Sequence, residues 1–73
     1  MKYLVIFEKG LNSYGVYVPD LPGCVAAGET LEEARQLIRE AIPLHLEMMK
    51  QSGESVPEPL SDAELVEVQA SAA

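Results

Sequence analysis

The first nine residues contain the densest run of apolar side chains in the chain. Residues 3–7 are aromatic, β-branched or leucine, a composition typical of a strand that is buried on both faces. We therefore predict a first strand within residues 2–9 and expect it to be central in its sheet. Turn-forming residues follow between Gly10 and Gly15, and residues 14–18 alternate as a second strand. The two strands are predicted to form an antiparallel hairpin.

A proline-rich connector follows the second strand: Pro19, Asp20, Leu21, Pro22 and Gly23. Proline fixes its own φ near about −65° and disfavours helix at the preceding residue, while glycine can adopt a positive φ. We expect a rigid corner between strands, in which the acid is a turn residue rather than a catalytic one. Residues 24–27 are compatible with a short third strand that Gly28 ends.

A long helix is predicted next. Thr30 and Glu33 have the spacing of a capping box, and Glu29 and Glu32 add negative charge at the predicted helix start. Gly53 marks the expected end of the helix, with a lysine in its last turn. Eight residues fall on one face at helical spacing: Leu31, Ala34, Ile38, Ala41, Ile42, His45, Met48 and Met49.

Three leucines widen the apolar face of this helix. Leu37, Leu44 and Leu46 lie on its shoulders, beyond what one small sheet requires. We therefore predict that they form an oligomer contact. Pro43 falls within the pattern, where it is expected either to kink the helix or to split it at Ile42, and it faces solvent by the same count.

The segment after the helix begins as an extended linker, because two prolines lie at 57 and 59. Residues 65–68 are predicted to form a fourth strand, reached by a chain that crosses back over the sheet; alternatively, Ser61 or Asp62 caps a short helical turn through Glu64. The last four residues are expected to fray. The predicted whole is a single α+β domain over residues 1–73, with the order β-β-β-α-β and a small antiparallel sheet packed on one long helix.

Size and charge restrict the range of possible functions. A chain of 73 residues buries only about 60% of its extended surface, and with one cysteine and one histidine it has neither a disulfide nor a cluster of metal ligands. We therefore expect stabilisation by oligomerisation or by a partner. Five basic against twelve acidic residues argue against direct nucleic-acid binding and suit a basic protein partner, although acidity also serves solubility. The N-terminal apolar run is too short for a secretory signal or a membrane span, which predicts a cytoplasmic protein.

Candidate reactive groups are few. His45 lies in the apolar helix face without a nucleophile or a carboxylate at a recognisable spacing, so we predict a buried or interface histidine. Cys24 is expected to be a small buried thiol. Glu8, Asp20 and Glu29 lie near strand ends, but no fixed spacing supports a magnesium site. We predict no catalytic, metal-binding or cofactor-binding residue.

Two motifs together resemble the HicB-like antitoxin domain family, and the similarity runs over residues 3–59. They are Tyr17-Val18-Pro19-Asp20-Leu21-Pro22-Gly23-Cys24 and Gly28-Glu29-Thr30-Leu31-Glu32-Glu33-Ala34. The resemblance implies a fold similar to a truncated ribonuclease H without a working active site. It also implies an oligomer that masks a small, basic, RNA-cleaving HicA-like toxin. Many members carry a DNA-binding segment after this domain, and none is expected here.

Two other interpretations stay open. One is a free-standing oligomer of the same fold that has no toxin partner and binds something else. The other is an active ribonuclease H-like enzyme, which requires an acidic cluster that the sequence does not assemble.

Overall fold

Three strands and one helix form the domain. The computed structural model describes residues 1–70. Its elements are β1 (Ile6–Lys9), β2 (Tyr14–Tyr17), β3 (Val25–Gly28) and α1 (Leu31–Gln51). The predicted α+β class, with three antiparallel strands followed by one long helix, is confirmed.

The sheet has the order β1-β2-β3, with both neighbouring pairs antiparallel. Phe7 lies opposite Val16, which in turn lies opposite Ala26. The expectation that the first strand is central is therefore wrong, because β2 occupies the centre and β1 lies at an edge. An apolar strand is central only if another strand covers its second edge, and none does so within residues 1–70.

The predicted fourth strand does not form. Residues 60–70 adopt neither strand nor helix, so the alternative of a short helical turn is also wrong, and nearly all of these residues are exposed. Composition favours strand at 65–68, but a strand also needs a partner, and this segment does not pair with the sheet. The predicted fraying of residues 70–73 falls mostly on 71–73, which lie outside the described residues.

The core lies between the sheet and the helix, which packs mainly on β3 and β2. Six buried residues form it: Val16, Val18, Leu21, Cys24, Ala34 and Ile38. Leu21, in the connector, is completely buried, so the corner between β2 and β3 is part of the core. Leu31 and Met48, which were predicted on the core face of the helix, are exposed.

Local side-chain chemistry defines the start of α1. Thr30 is its N-cap, with an extended backbone, and the Thr30 hydroxyl accepts a hydrogen bond from the Glu33 backbone N–H at 3.1 Å. This bond satisfies one of the amides that the first helical turn leaves without a partner. A salt bridge of 2.9 Å between Glu32 and Arg35 lies beside it on the surface.

The far end of the helix is a Schellman motif. Gly53 has φ +76°, and its N–H donates to the carbonyl of Lys50 at 3.1 Å, while the N–H of Glu54 donates to that of Met49 at 2.9 Å. The helix is continuous through Pro43, so the split at Ile42 does not occur. Pro43 is exposed, as the periodicity predicted.

Candidate functional site

The connector between β2 and β3 is closed by backbone hydrogen bonds. The Val18 N–H donates to the Cys24 carbonyl at 3.1 Å, and the Leu21 N–H donates back to the Val18 carbonyl at 3.0 Å. Gly23 has φ +84°, a conformation that side-chain-bearing residues rarely adopt. With Leu21 buried beneath it, the connector is a rigid part of the domain surface.

Asp20 in the connector binds the C-terminal segment. Its two carboxylate oxygens accept hydrogen bonds from the Ser61 backbone N–H at 2.8 Å and from the Ser61 hydroxyl at 2.7 Å. These bonds, the backbone one first, lower the pKa of Asp20. The Tyr3 hydroxyl donates to the Pro57 carbonyl, which makes a second attachment point. Asp20 therefore holds a distant part of the chain, and its carboxylate is occupied.

Sequence reasoning missed this attachment. It assigned the acid to a local turn, whereas Ser61 lies 41 positions further along the chain. No periodicity or motif links two residues so far apart, and each of them has a local interpretation in the sequence, Asp20 in a turn and Ser61 as a helix cap.

Cys24 and His45, which were both predicted to lie in apolar surroundings, differ in burial. Cys24 is buried, and desolvation raises the pKa of its thiol, so this side chain is a neutral packing group rather than a nucleophile. His45 is half-buried and faces the connector, with its Cε1 atom 3.9 Å from the position that a Cβ on Gly23 would occupy. The histidine thus lies against the inner side of the corner.

The acids at strand ends do not meet. Glu8 and Glu29 are exposed, and Asp20 is engaged with Ser61. Within residues 1–70, no three histidine, cysteine or carboxylate side chains lie close enough together to hold a metal ion. In the same part of the chain, no helix combines the length and the apolar character needed to cross a membrane.

An exposed apolar strip runs along one side of α1. We call it the helix flank and define it as Leu37, Ala41, Leu44 and Met48, whose spacing of four, three and four residues keeps them on one side of a helix; Ala41 is half-buried against the core, and the other three are exposed. Leu44 is 68% exposed and Met48 is 62% exposed. Leu46 lies on the opposite side and packs against the core. The structure therefore brings together only two of the three leucines predicted as a contact, and it adds Met48.

A groove separates α1 from the edge strand. We call it the β1 groove and define it by Tyr3, Val5, Phe7, Ile38 and Ile42, with Arg35 and Arg39 at its rim. The Arg35 guanidinium lies 5.8 Å from the centre of the Phe7 ring, within range of a cation–π contact. The helix packs mainly on β3 and β2, so the inner side of β1 is only half-covered.

The acidic side chains are distributed over the surface. Every aspartate and glutamate except Asp20 is exposed, and Glu32 with Arg35 is the ion pair found within residues 1–70. The formal net charge of −7 is therefore presented to solvent with little internal neutralisation, which favours a positively charged partner.

The chain matches a known family over almost all of its length. The sequence profile described as "HicB_like antitoxin of bacterial toxin-antitoxin system" matches residues 3–71. Antitoxin HicB 2 of Photorhabdus laumondii is 32% identical to this chain over 100% of the chain and 53% of its own length.

Other relatives have names that state no activity. An uncharacterised 14.9 kDa protein of Haemophilus phage HP1 is 46% identical over 78% of this chain and 43% of its own length. A UPF0150 protein of Thermoplasma acidophilum is 45% identical over 78% of this chain and 84% of its own length. The chain thus spans about half the length of the phage protein and of the Photorhabdus antitoxin, and most of the length of the Thermoplasma protein.

Proposed function

Since the chain belongs to the HicB-like antitoxin family of bacterial toxin–antitoxin systems, we propose that it binds and masks a toxin in the cytoplasm. The proposed toxin is a small, basic, RNA-cleaving protein of the HicA-like type. Masking here means covering the surface with which the toxin reaches RNA, and this chain makes or breaks no bond.

The surface charge supports this proposal more than any other observation. Eleven of the twelve acidic side chains are exposed, all except Asp20. Such a surface attracts a basic partner before contact and repels acidic ones, so it accelerates the encounter and selects the partner. It also repels RNA, which keeps the antitoxin from competing for the toxin's substrate.

The state of the reactive side chains supports binding rather than catalysis. The Cys24 thiol is buried with a raised pKa, the Asp20 carboxylate is taken up by Ser61, and His45 lies against the connector. Within residues 1–70, neither Cys24 nor His45 makes a side-chain hydrogen bond to an acid, a base or a nucleophile, and nucleophilic and acid–base catalysis require such a pair.

The helix flank supports an oligomeric antitoxin. Leu37 and Leu44 keep the contact role proposed from the sequence, with Met48 beside them, whereas Leu46 acts in the core. Two flanks packed against each other would bury apolar side chains that a single chain leaves in water. An oligomer would also present several acidic surfaces to its partners.

The test is a search for a short basic protein encoded next to this chain, followed by expression of that protein. On mixing or co-expression, the two proteins should co-purify as a stoichiometric complex, and RNA cleavage by the basic protein should stop. Raising the salt from about 50 to about 500 mM should slow association markedly, because screening shortens the range of the attraction. Continued RNA cleavage in the presence of excess antitoxin would contradict the proposal, and an association rate independent of salt would remove its electrostatic part.

Two alternatives predict different results. A free-standing oligomer without a toxin partner is favoured by the exposed helix flank, and in that case the neighbouring basic protein does not co-purify while the chain still assembles with itself. A ribonuclease H-like enzyme would cleave an RNA/DNA hybrid in the presence of Mg²⁺ and lose that activity in Asp20→Asn. The binding proposal predicts that neither the parent chain nor Asp20→Asn cleaves the hybrid.

A further inference from the structure

The free edge of β1 is suited to pairing with another strand. β1 lies at the edge of the sheet, and within residues 1–70 it pairs with β2 alone. Ile6 on the outer side of β1 and Phe7 on its inner side are half-buried, as are Leu4 and Val5 just before the strand. Proteins commonly protect an exposed edge with charges, proline or a bulge. Here the charges of β1 are confined to its last two residues, Glu8 and Lys9, while residues 3–7 are apolar or aromatic and leave that part of the edge open to pairing.

The β1 groove extends this open surface towards the helix. Val5 and Phe7 face Ile38 and Ile42 across it. A strand placed beside β1 would direct alternate side chains into this groove. The site therefore offers both backbone hydrogen-bonding groups and an apolar channel, and an occupant should supply a row of amides and two small apolar side chains.

The C-terminal segment of the chain has these properties. Residues 65–68 read Leu-Val-Glu-Val, which places two valines on one side of an extended chain and Leu65 with Glu67 on the other. Leu65 is fully exposed, and Val66 and Val68 are 71% and 79% exposed. The segment thus has strand composition, the required alternation and no packing partner within residues 1–70.

The chain's own tail, residues 62–70, follows two attachment points at the start of the chain and the connector, the first of which is the bond from the Tyr3 hydroxyl to the Pro57 carbonyl. Asp20 binds Ser61 beside the connector, and residues 62–70 continue from there without contributing a strand. All of residues 60–70 are exposed, so a second molecule can reach them.

We propose that residues 65–68 of one copy add a fourth strand to the free edge of β1 in a second copy. Val66 and Val68 fill the β1 groove of that copy, and Leu65 lies on the outer side near Ile6. Because each copy has one tail and one free edge, a reciprocal exchange pairs both and closes a two-fold dimer. This inference depends neither on the toxin proposal nor on the helix flank.

Cysteine pairing in mixed samples tests the exchange directly. Leu4→Cys, Ile6→Cys and Glu8→Cys mark the outer side of β1, and Leu65→Cys marks the tail; the native Cys24 is buried. Each isotopically labelled β1 variant is refolded together with unlabelled Leu65→Cys and then oxidised. At least one mixture should give a disulfide-linked dimer whose mass equals one labelled plus one unlabelled chain.

The same variants define what would overturn the exchange. The double variants, such as Ile6→Cys with Leu65→Cys, can form a disulfide within one chain. If they do so while no mixture gives the mixed dimer, the strand belongs to its own sheet and the proposal is wrong. The absence of a disulfide in every combination also contradicts it.

A proline pair measures the contribution of the strand. Val66→Pro removes an amide and the groove-filling side chain, and it should raise the dimer dissociation constant at least tenfold. Ala63→Pro, in the same exposed tail but outside the proposed strand, should change it less than twofold. Both residues are exposed in the single chain, so circular dichroism should show an unchanged fold. Equal dissociation constants for the two variants would refute the proposal.

Discussion

Gly28 lies where the sheet and the helix come closest together. A Cβ atom placed on Gly28 would lie 2.8 Å from the backbone nitrogen of Ala34 and 3.0 Å from the side chain of Glu33. The nearest atom belongs to the backbone of the first helical turn, which cannot move without disturbing the Thr30 cap. Glycine is therefore required here because there is no room for a Cβ atom. Backbone conformation is not the reason, since the φ of Gly28 is not in the positive range.

Gly28→Ala should consequently lower the free energy of unfolding by about 1–3 kcal/mol, the usual cost of overpacking. The measurement is urea denaturation followed by circular dichroism. Gly15→Ala is the matched control, because its Cβ would have its nearest neighbour, the Glu8 carbonyl oxygen, at 4.0 Å. Equal stability of the two variants would show that the sheet and the helix do not approach as described.

The bond between Asp20 and Ser61 should depend on pH. The pKa of Asp20 is lowered from its usual value of 3.8 by the hydrogen bonds from Ser61, so the carboxylate favours the attached state. The contribution of the ionised Asp20 carboxylate to this attachment is fully present above pH 3.8. It is lost as the pH falls through the lower pKa that Asp20 has in the attached state. The hydrogen-exchange protection of the Ser61 amide, followed by NMR, should disappear in that acidic range.

Two variants separate this effect from general acid unfolding. Asp20→Asn should abolish the pH dependence by weakening the attachment at every pH, because an amide group presents one oxygen where the carboxylate presents two. Asp62→Asn, one residue from Ser61, should leave it unchanged. Persistent protection of the Ser61 amide in Asp20→Asn would exclude Asp20 as the anchor.

Helix α1 contains one residue, Pro43, that destabilises it locally. Pro43 lies inside the helix and is exposed, so it offers no burial to offset the hydrogen bond that it withholds from the carbonyl of Arg39. Pro43→Ala should therefore raise the free energy of unfolding by about 1–3 kcal/mol. Denaturant titration measures the change, and Gln36→Ala, another exposed helical position, should stay within about 0.5 kcal/mol. A Pro43→Ala protein no more stable than the parent would contradict this account.

The elements that short-range signals determine were predictable from the sequence. The helix follows from a cap, a terminal glycine and a regular apolar period, all of which lie within a few residues of the structure they specify. The first hairpin follows from turn chemistry between two apolar runs. The position of β1 did not follow, because an apolar strand looks the same whether its second neighbour comes from its own chain, from another chain or is absent.

The candidate surfaces were predictable only in part. The spacing placed Leu37 and Leu44 on one side of α1, but it did not reveal that Leu46, on the opposite side, packs against the core. The bond from Asp20 to Ser61 and the β1 groove depend on how distant segments pack, which a single sequence does not encode in any repeating pattern.

At the scale of the whole molecule, the helix flank and the free edge of β1 are separate surfaces. Leu44→Glu places a charge in the flank and should weaken any assembly through it at least tenfold, a loss of about 1.4 kcal/mol or more. Light scattering over a dilution series gives the assembled mass. Gln36→Glu adds the same charge on the other side of the helix and should leave the mass unchanged.

The two surfaces can be distinguished in one sample. Leu44→Glu should leave the disulfide between the cysteine at 65 and a β1 cysteine in place, because that contact does not involve the flank. If Leu44→Glu leaves the assembled mass unchanged, the helix flank is not an oligomer contact. The proposal of strand exchange is not affected by that result.

The order of the elements also bears on how the protein is made. Each strand pairs with the one next to it in sequence, and the last fully buried side chain is Ile38. Topologies built from such short-range contacts fold quickly. Residues 52–70 add no buried side chain to this interior, so the ribosome has added every fully buried residue of the domain before it reaches that segment, and folding of the core should not depend on it.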